Sequence, residues 1–150
     1  MITITSAISG VATAAPPDPS AATASATEVA AGSTFTVAVE WEGDELRVTV
    51  VATGDESPMM RRQAPRTAVA LAEYFRDCGE SVLLIVDSVT RYAHAARDVA
   101  LAAGEPAVAR GYTPSVFSDL PRLLERAGPG EEGRGGAITG IFSVLIDGDD

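Results

Sequence analysis

At 150 residues the chain has room for one domain with a modest core, and nothing in it suggests two. Apolar residues make up 46%, enough for a folded body, while 21 acidic against 11 basic residues leave a net charge of −10, which argues against a nucleic-acid partner. Cys78 is the only cysteine and His94 the only histidine, which excludes an internal disulfide and a cysteine-based zinc site and makes a reducing, cytoplasmic compartment the simplest fit.

Met1 to Ala15 lacks the basic start of a secretion signal, and Thr3, Thr5, Ser6, Ser9 and Thr13 dilute its apolar character. No run approaches the ~20 apolar residues of a membrane span. Residues 1–33 are dominated by Ala, Ser, Thr and Pro, including Pro16-Pro17-Asp18-Pro19. Such a segment buries too little to offset its ordering entropy, and it predicts a flexible, disordered tail ahead of a domain over residues 34–150. Phe35, Val37 and Val39 alternate along Thr34 to Val39, and Leu46 to Thr53 reads as a second strand, the two forming a hairpin through a polar turn at Trp41 to Asp44.

The loop Gly54-Asp55-Glu56-Ser57-Pro58 opens a helix, with Ser57 as N-cap and Pro58 in the first turn. It should run to about Asp77, with a kink at Pro65, a buried stripe of Val69, Ala72, Tyr74 and Phe75, and a stop at Gly79. Val82-Leu83-Leu84-Ile85-Val86 is an unbroken apolar run ending in Asp87, and it reads as a parallel strand buried on both faces. A second helix covers about Arg91 to Ala103, stopped by Gly104 and Pro106. A loop with Arg110, Gly111, Tyr112 and Pro114 leads to a third helix near Ser115 to Ala127. The turn Gly128 to Gly136 precedes a last strand, Ala137 to Ile146, before the acidic end Asp147-Gly148-Asp149-Asp150. Strands alternating with helices predict an α/β layer with a mostly parallel sheet.

Asp87 is the leading site candidate on physical grounds, since open α/β sheets bind ligands at the C-terminal ends of their strands. A carboxylate there can serve a magnesium ion that bridges phosphates. It can equally be the N-cap of the following helix, and the residues alone leave both roles open. Arg91, four residues on, either turns back toward the same crevice or lies on the helix surface. The glycine-rich stretch Gly128 to Gly136 fails as a phosphate cradle: Glu131 and Glu132 repel phosphate, no lysine follows, and a β-type run comes next. Asp55 and Glu56 read as a polar connection, Cys78 as a thiol near a helix end, and His94 as a helix residue without catalytic partners.

Several segments, in order, resemble the ATPases of flagellar and type III protein export, relatives of the catalytic subunit of rotary ATP synthases. They are Thr49-Val50-Val51-Ala52-Thr53-Gly54-Asp55-Glu56-Ser57-Pro58-Met59-Met60-Arg61-Arg62, Ala72-Glu73-Tyr74-Phe75-Arg76-Asp77, and Val82 to Asp87 with Ser88-Val89-Thr90-Arg91. Leu101 to Pro106, Arg110-Gly111-Tyr112-Thr113-Pro114-Ser115-Val116-Phe117 and Leu120 to Gly128 continue the match, which covers about Leu46 to Asp150. The resemblance implies a RecA-like P-loop NTPase core that binds ATP and Mg2+ and works as a homo-hexameric ring on the export apparatus, in the cytoplasm or peripheral to it at the inner membrane. It implies that Asp87 holds the magnesium shell and that Arg91 is a catalytic and nucleotide-binding residue near the reacting phosphate. Arg110, Gly111, Tyr112, Pro114, Asp149 and Asp150 carry over as interface candidates.

The chain departs from this pattern where the family has its glycine-rich loop with lysine and hydroxyl residue and, after it, a catalytic glutamate in a Gly-Glu-Arg run. No lysine is present, and Glu40 and Glu42 stand outside any such motif. The sequence therefore reads as a middle slice of an export ATPase that is inactive by itself, or as a non-catalytic fragment that docks on full-length subunits. Loss of an inner strand exposes apolar edges on its neighbours, so a marginal fold is expected, with Thr34 to Val39 as the segment to fill the gap.

Overall fold

In the computed structural model, which describes residues 2–7, 27–28, 34–42, 45–133 and 135–146, the alternating segments form strands and the alanine-rich ones helices. The described elements are β1 (Ile2–Ala7), β2 (Thr27–Glu28), β3 (Thr34–Glu42), β4 (Glu45–Val51), α1 (Pro58–Asp77), β5 (Ser81–Val86), α2 (Val89–Ala102), α3 (Pro114–Leu124), β6 (Gly128–Pro129) and β7 (Ala137–Phe142). The strands join in one sheet in the order β2-β3-β4-β1-β5-β7-β6.

The α/β class is as the sequence predicts. The parallel pairing is found between β5 and β7, from Ser81↔Ala137 to Val86↔Phe142. The mostly parallel sheet that was expected is corrected here: the other pairings among the described strands are antiparallel, and the reason is local. β3 and β4 are joined by two residues, a connection that only a hairpin accommodates. β1 then runs antiparallel to both β4 and β5, which leaves β4, β5 and β7 pointing one way.

Two expectations for the first residues are corrected. Ile2–Ala7, placed by the sequence reading in a flexible segment, is a strand inside the sheet, with Ile2 opposite Val50 and Val86 and Ile4 opposite Val48 and Leu84. β3 does not fill the interior gap; it pairs along the outer side of β4, and β1 occupies the place between β4 and β5. Thr27–Glu28, also within the expected tail, is a short strand paired with β3, and the remainder of that tail and Asp147 to Asp150 lie outside the described residues.

Burial alternates along β4 and β5. Leu46, Val48 and Val50 and then Val82, Leu84 and Val86 are buried in one core with Met60, Ala64, Ala68, Val69 and Ala72 of α1. On the opposite face Ile85 and its cross-strand partner Ile141 are 36% and 53% exposed, so the apolar run of β5 is covered on one face rather than two. α1 is the helix that lies on the sheet, α2 packs on α1, and α3 packs on α2.

The start of α1 is as read: the Ser57 hydroxyl accepts the Met60 N–H at 3.4 Å and Pro58 takes the first turn. Tyr74, expected in the buried stripe, is 64% exposed, and Met60, Ala64 and Pro65 are buried instead. α3 is tied back to α1 by ion pairs. Arg126, just past α3, donates through Nε to Glu73 Oε1 at 2.8 Å, and Asp119 accepts from both Arg62 and Arg66. The glycine-rich turn closes against the end of α1, where a Cβ on Gly136 would lie 1.8 Å from the Arg76 carbonyl oxygen. That contact requires the absence of a side chain.

Gly136→Ala is therefore expected to destabilise the fold by about 1–3 kcal/mol, the range for overpacking against fixed backbone. Gly54→Ala, where nothing lies within 4 Å of the new methyl, is the near-neutral comparison, and both are read by denaturant midpoint. Acid sensitivity follows from Glu73. The hydrogen bond from Arg126 holds its pKa below the ordinary glutamate value, against an opposing effect of burial and with further help from the Arg126 charge. A lowered carboxylate pKa contributes stability above the unfolded value, about 4.3, and loses it as pH falls through the folded value. Glu73→Gln is expected to flatten the decline of the melting temperature below about pH 4.3, and an unchanged acid slope would contradict the assignment.

Candidate functional site

The chain leaves β5 at Val86, and Asp87 and Ser88 make the turn into α2. Ser88, not Asp87, is the N-cap: its hydroxyl accepts the Arg91 N–H at 3.4 Å and it is 3% exposed. The cap that the sequence offered to Asp87 is thus filled by its neighbour, and the Asp87 carboxylate is exposed beside it.

β7 supplies the support. Its continuation, Ser143, donates its N–H to the Val86 carbonyl at 3.1 Å and accepts the Val89 N–H at 3.0 Å. The Ser143 hydroxyl donates to Asp87 Oδ1 at 2.9 Å. Two residues on, Leu145 donates its N–H to Thr90 Oγ1 at 2.9 Å and accepts the Thr90 hydroxyl at 3.2 Å. The turn bearing Asp87 is thus bound along its length to the neighbouring strand.

A crevice of about 120 Å³ opens beside this turn, lined among others by Asp87, Ser88, Arg91, Arg61, Tyr92 and His94. The structure therefore brings Asp87 and Arg91 together. The Arg91 guanidinium is exposed and has no ion pair or hydrogen bond among the described residues. Arg61 enters from α1, with Nε donating to the Glu56 carbonyl at 3.2 Å and Nη2 3.8 Å from Asp98. Gly54, at the end of the β4 strand, closes the other side, next to Asp55, whose pKa is lowered by a hydrogen bond from the Thr53 side chain.

Ligand pockets that enclose a small organic molecule measure roughly 300–1,000 Å³, so this crevice by itself is too small to enclose one. Among the described residues no three His, Cys, Asp or Glu side chains are grouped to hold a metal ion. One carboxylate fits magnesium, which is bound by one or two carboxylates together with waters and substrate phosphates. An anchored carboxylate and an unpaired guanidinium in one crevice suit a cation and the phosphate it accompanies.

None of the described interface candidates lines the crevice. Arg110 and Gly111 form an exposed tip with φ of 49° and 79°, and Pro114 is exposed at the start of α3. Tyr112 packs back on α2: its ring stacks with His94 at 6.0 Å between centroids, and the Arg97 guanidinium lies 5.6 Å from its centre. His94, read as a helix residue, thus both lines the crevice and anchors the Tyr112 loop. Asp149 and Asp150 are outside the described residues. The sequence reading did not single out Arg61 or Ser143. Arg61 carries a helical signal, four residues after the Ser57 cap and three before the buried Ala64; Ser143 carries none, because its role depends on strand pairing.

Residues 28–150 match the ATP synthase alpha/beta family, nucleotide-binding domain, and the chain belongs to that family. Within it, the chain is 68% identical over 109 residues to the flagellum-specific ATP synthase of Rhizobium meliloti, covering 71% of this chain and 23% of that protein. Its identity to the flagellum-specific ATP synthase of Bacillus subtilis is 55%, with 73% and 24% covered. A prototypical ATPase from the type III secretion system of pathogenic bacteria superposes with a TM-score of 0.63 at 57% identity, covering 67% of this chain and 28% of that one. The ATPase EscN in complex with its central stalk EscO, from enteropathogenic E. coli, gives 0.60 at 58% identity, with 64% and 23% covered. The chain spans about a quarter of the length of the curated relatives it matches.

The capping assignment predicts that Ser88→Ala lowers stability by about 0.5–2 kcal/mol, while Asp87→Ala lowers it less. Denaturation followed by circular dichroism checks the order of the two; the reverse order would return the cap to Asp87.

Proposed function

We propose that this chain carries the metal-side wall of the ATP site in an ATPase that drives flagellar or type III protein export. The observation that supports it most is the Asp87 carboxylate at the C-terminal end of β5, held at one oxygen by Ser143 while Arg91 lies unpaired one helical turn away. Asp87 would hold the magnesium shell, and Arg91 would face the γ-phosphate and the attacking water. Bound Mg-ATP supplies the phosphoryl group and the cation that neutralises its charge. Ser143 keeps the carboxylate oriented, so no reorganisation is needed when charge develops nearby.

All 11 basic residues are arginine, and none sits in a glycine-rich loop that opens a helix. The phosphate cradle is therefore not among these residues, and the chain by itself is proposed neither to hydrolyse ATP nor to bind it tightly. In a complete protein the wall would work within a homo-hexameric ring on the export apparatus, cytoplasmic or peripheral to the inner membrane. Arg110, Gly111, Tyr112, Pro114, Asp149 and Asp150 would then face neighbours. The solved EscN structures are of an assembled ATPase, and no described helix here is long and apolar enough to cross a membrane. A second reading, a non-catalytic fragment docking on full-length subunits, is favoured by the exposed Ile85, Ile141, Val144 and Ile146.

Two measurements test the proposal. The purified chain should show no Mg-ATP turnover above background; turnover that disappears in Asp87→Ala would overturn the inactive reading. In a full-length relative carrying this stretch, Asp87→Ala and Arg91→Ala should each lower kcat by roughly 10²–10³, the scale for removing one charge-stabilising group. Unchanged kcat in both would remove the assigned roles. Capture of a full-length homologue by this chain, in the absence of turnover, would support the docking reading.

A further inference from the structure

A second cleft lies where α1 and α3 meet beside Tyr92 of α2. It measures about 200 Å³ and is lined by Arg66, Tyr92, Asp119, Arg122, Leu123 and Arg126. Arg66 Nη2 donates to Asp119 at 3.0 Å and its Nε to the Tyr92 hydroxyl at 3.3 Å. Arg62 also bonds to Asp119, and Arg126 bonds to Glu73. Arg122 is exposed and has no ion pair or hydrogen bond among the described residues. Four guanidiniums, of Arg62, Arg66, Arg122 and Arg126, are thus gathered around two carboxylates, Asp119 and Glu73, an excess of two positive charges in a chain of net charge −10.

Donors outnumber acceptors in this cluster. Tyr92 is 2% exposed, and its hydroxyl oxygen accepts from Arg66, which has no acceptor to offer in return. The phenol proton has no acceptor among the described hydrogen bonds. Arg62 Nε is likewise buried without a partner. A buried donor left unpaired is costly, so what the cluster lacks is a source of several acceptor oxygens with about two negative charges.

We propose that this cleft binds a phosphate-class oxyanion, with Arg66, Arg122, Arg126 and Tyr92 as its donors, at a place separate from the Asp87 crevice. Planar guanidiniums match such an anion with paired N–H groups, and its two charges balance the local excess. The volume suits a small anion with its waters rather than a folded segment. Tyr92 also lines the Asp87 crevice, so the two clefts share one buried side chain.

Calorimetric titration of the whole chain at low ionic strength, with inorganic phosphate, pyrophosphate and ADP as separate probes, tests the assignment. Pyrophosphate is expected to bind, and Arg122→Gln should weaken it about tenfold, the value of one charge-assisted hydrogen bond. Arg122 holds nothing else together, so the variant should fold as the parent does. Tyr92→Phe should weaken binding several-fold, with circular dichroism as the check on its fold. ADP bound with the same Arg122 dependence would identify a nucleotide's phosphate tail as the ligand; response to the inorganic anions alone would identify free phosphate. Absence of binding to the folded chain overturns the proposal. So does binding that survives Arg122→Gln but is lost in Arg91→Gln, which would place the anion in the Asp87 crevice and leave the proposed function standing.

Discussion

Because β5 and β7 pair in parallel register up to Val86↔Phe142, the next residue on each strand emerges at the same edge of the sheet. Those residues are Asp87 and Ser143, and the hydroxyl of one holds the carboxylate of the other. The position of Asp87 therefore does not depend on a flexible loop. It is set by the hydrogen-bond ladder of two strands, by the Ser88 cap that starts α2, and by the strap from Leu145 to Thr90. A parallel sheet presents all its strand ends on one edge, which is why ligands collect there and why a single strand pair can define one wall of a site.

The antiparallel β1 sets the width of the crevice. It lies between β4 and β5, so the β4 end near Ala52 and Gly54 stands two strand spacings, about 10 Å, from the end of β5. The crevice bridges that interval under Arg61 of α1. Without a strand in this place, β4 and β5 would present unpaired backbone groups to each other, at a cost no surrounding side chain offsets. β1 thus keeps the sheet continuous and the two walls of the crevice at a fixed distance.

Much of this was legible in the residues, and the misses have definite causes. The Ser57-Pro58 start of α1, the apolar run of β5 and the hairpin of β3 and β4 each rest on local chemistry, and each is found in place. β1 escapes a composition-based reading because Thr3, Thr5 and Ser6 dilute its apolar signal. Ile2-Thr3-Ile4-Thr5 has instead the two-residue period of a strand, and its isoleucines fall opposite buried positions of β4 and β5. The run Val82–Val86 shows that a segment is apolar but not how many faces are covered, and Ile85 remains exposed. In Asp87-Ser88 two capping residues stand side by side, and only the backbone decides which one caps. Arg61 and His94 reach the crevice from separate helices, through packing that no spacing in the sequence encodes.

Nine of the eleven arginines separate into two groups. Arg61, Arg62, Arg66, Arg76, Arg97 and Arg126 each have a carboxylate partner. Arg91, Arg110 and Arg122 have none among the described residues, although acidic side chains outnumber basic ones 21 to 11. A guanidinium left without a carboxylate cannot shed its charge in response. Two of the three, Arg91 and Arg122, line clefts. An exposed pair contributes little to stability, so leaving these two unpaired costs the fold little. It leaves two fixed positive charges facing open space, one beside an anchored carboxylate and one beside a buried phenol in need of an acceptor. The first arrangement suits a cation together with its phosphate, and the second suits an anion alone.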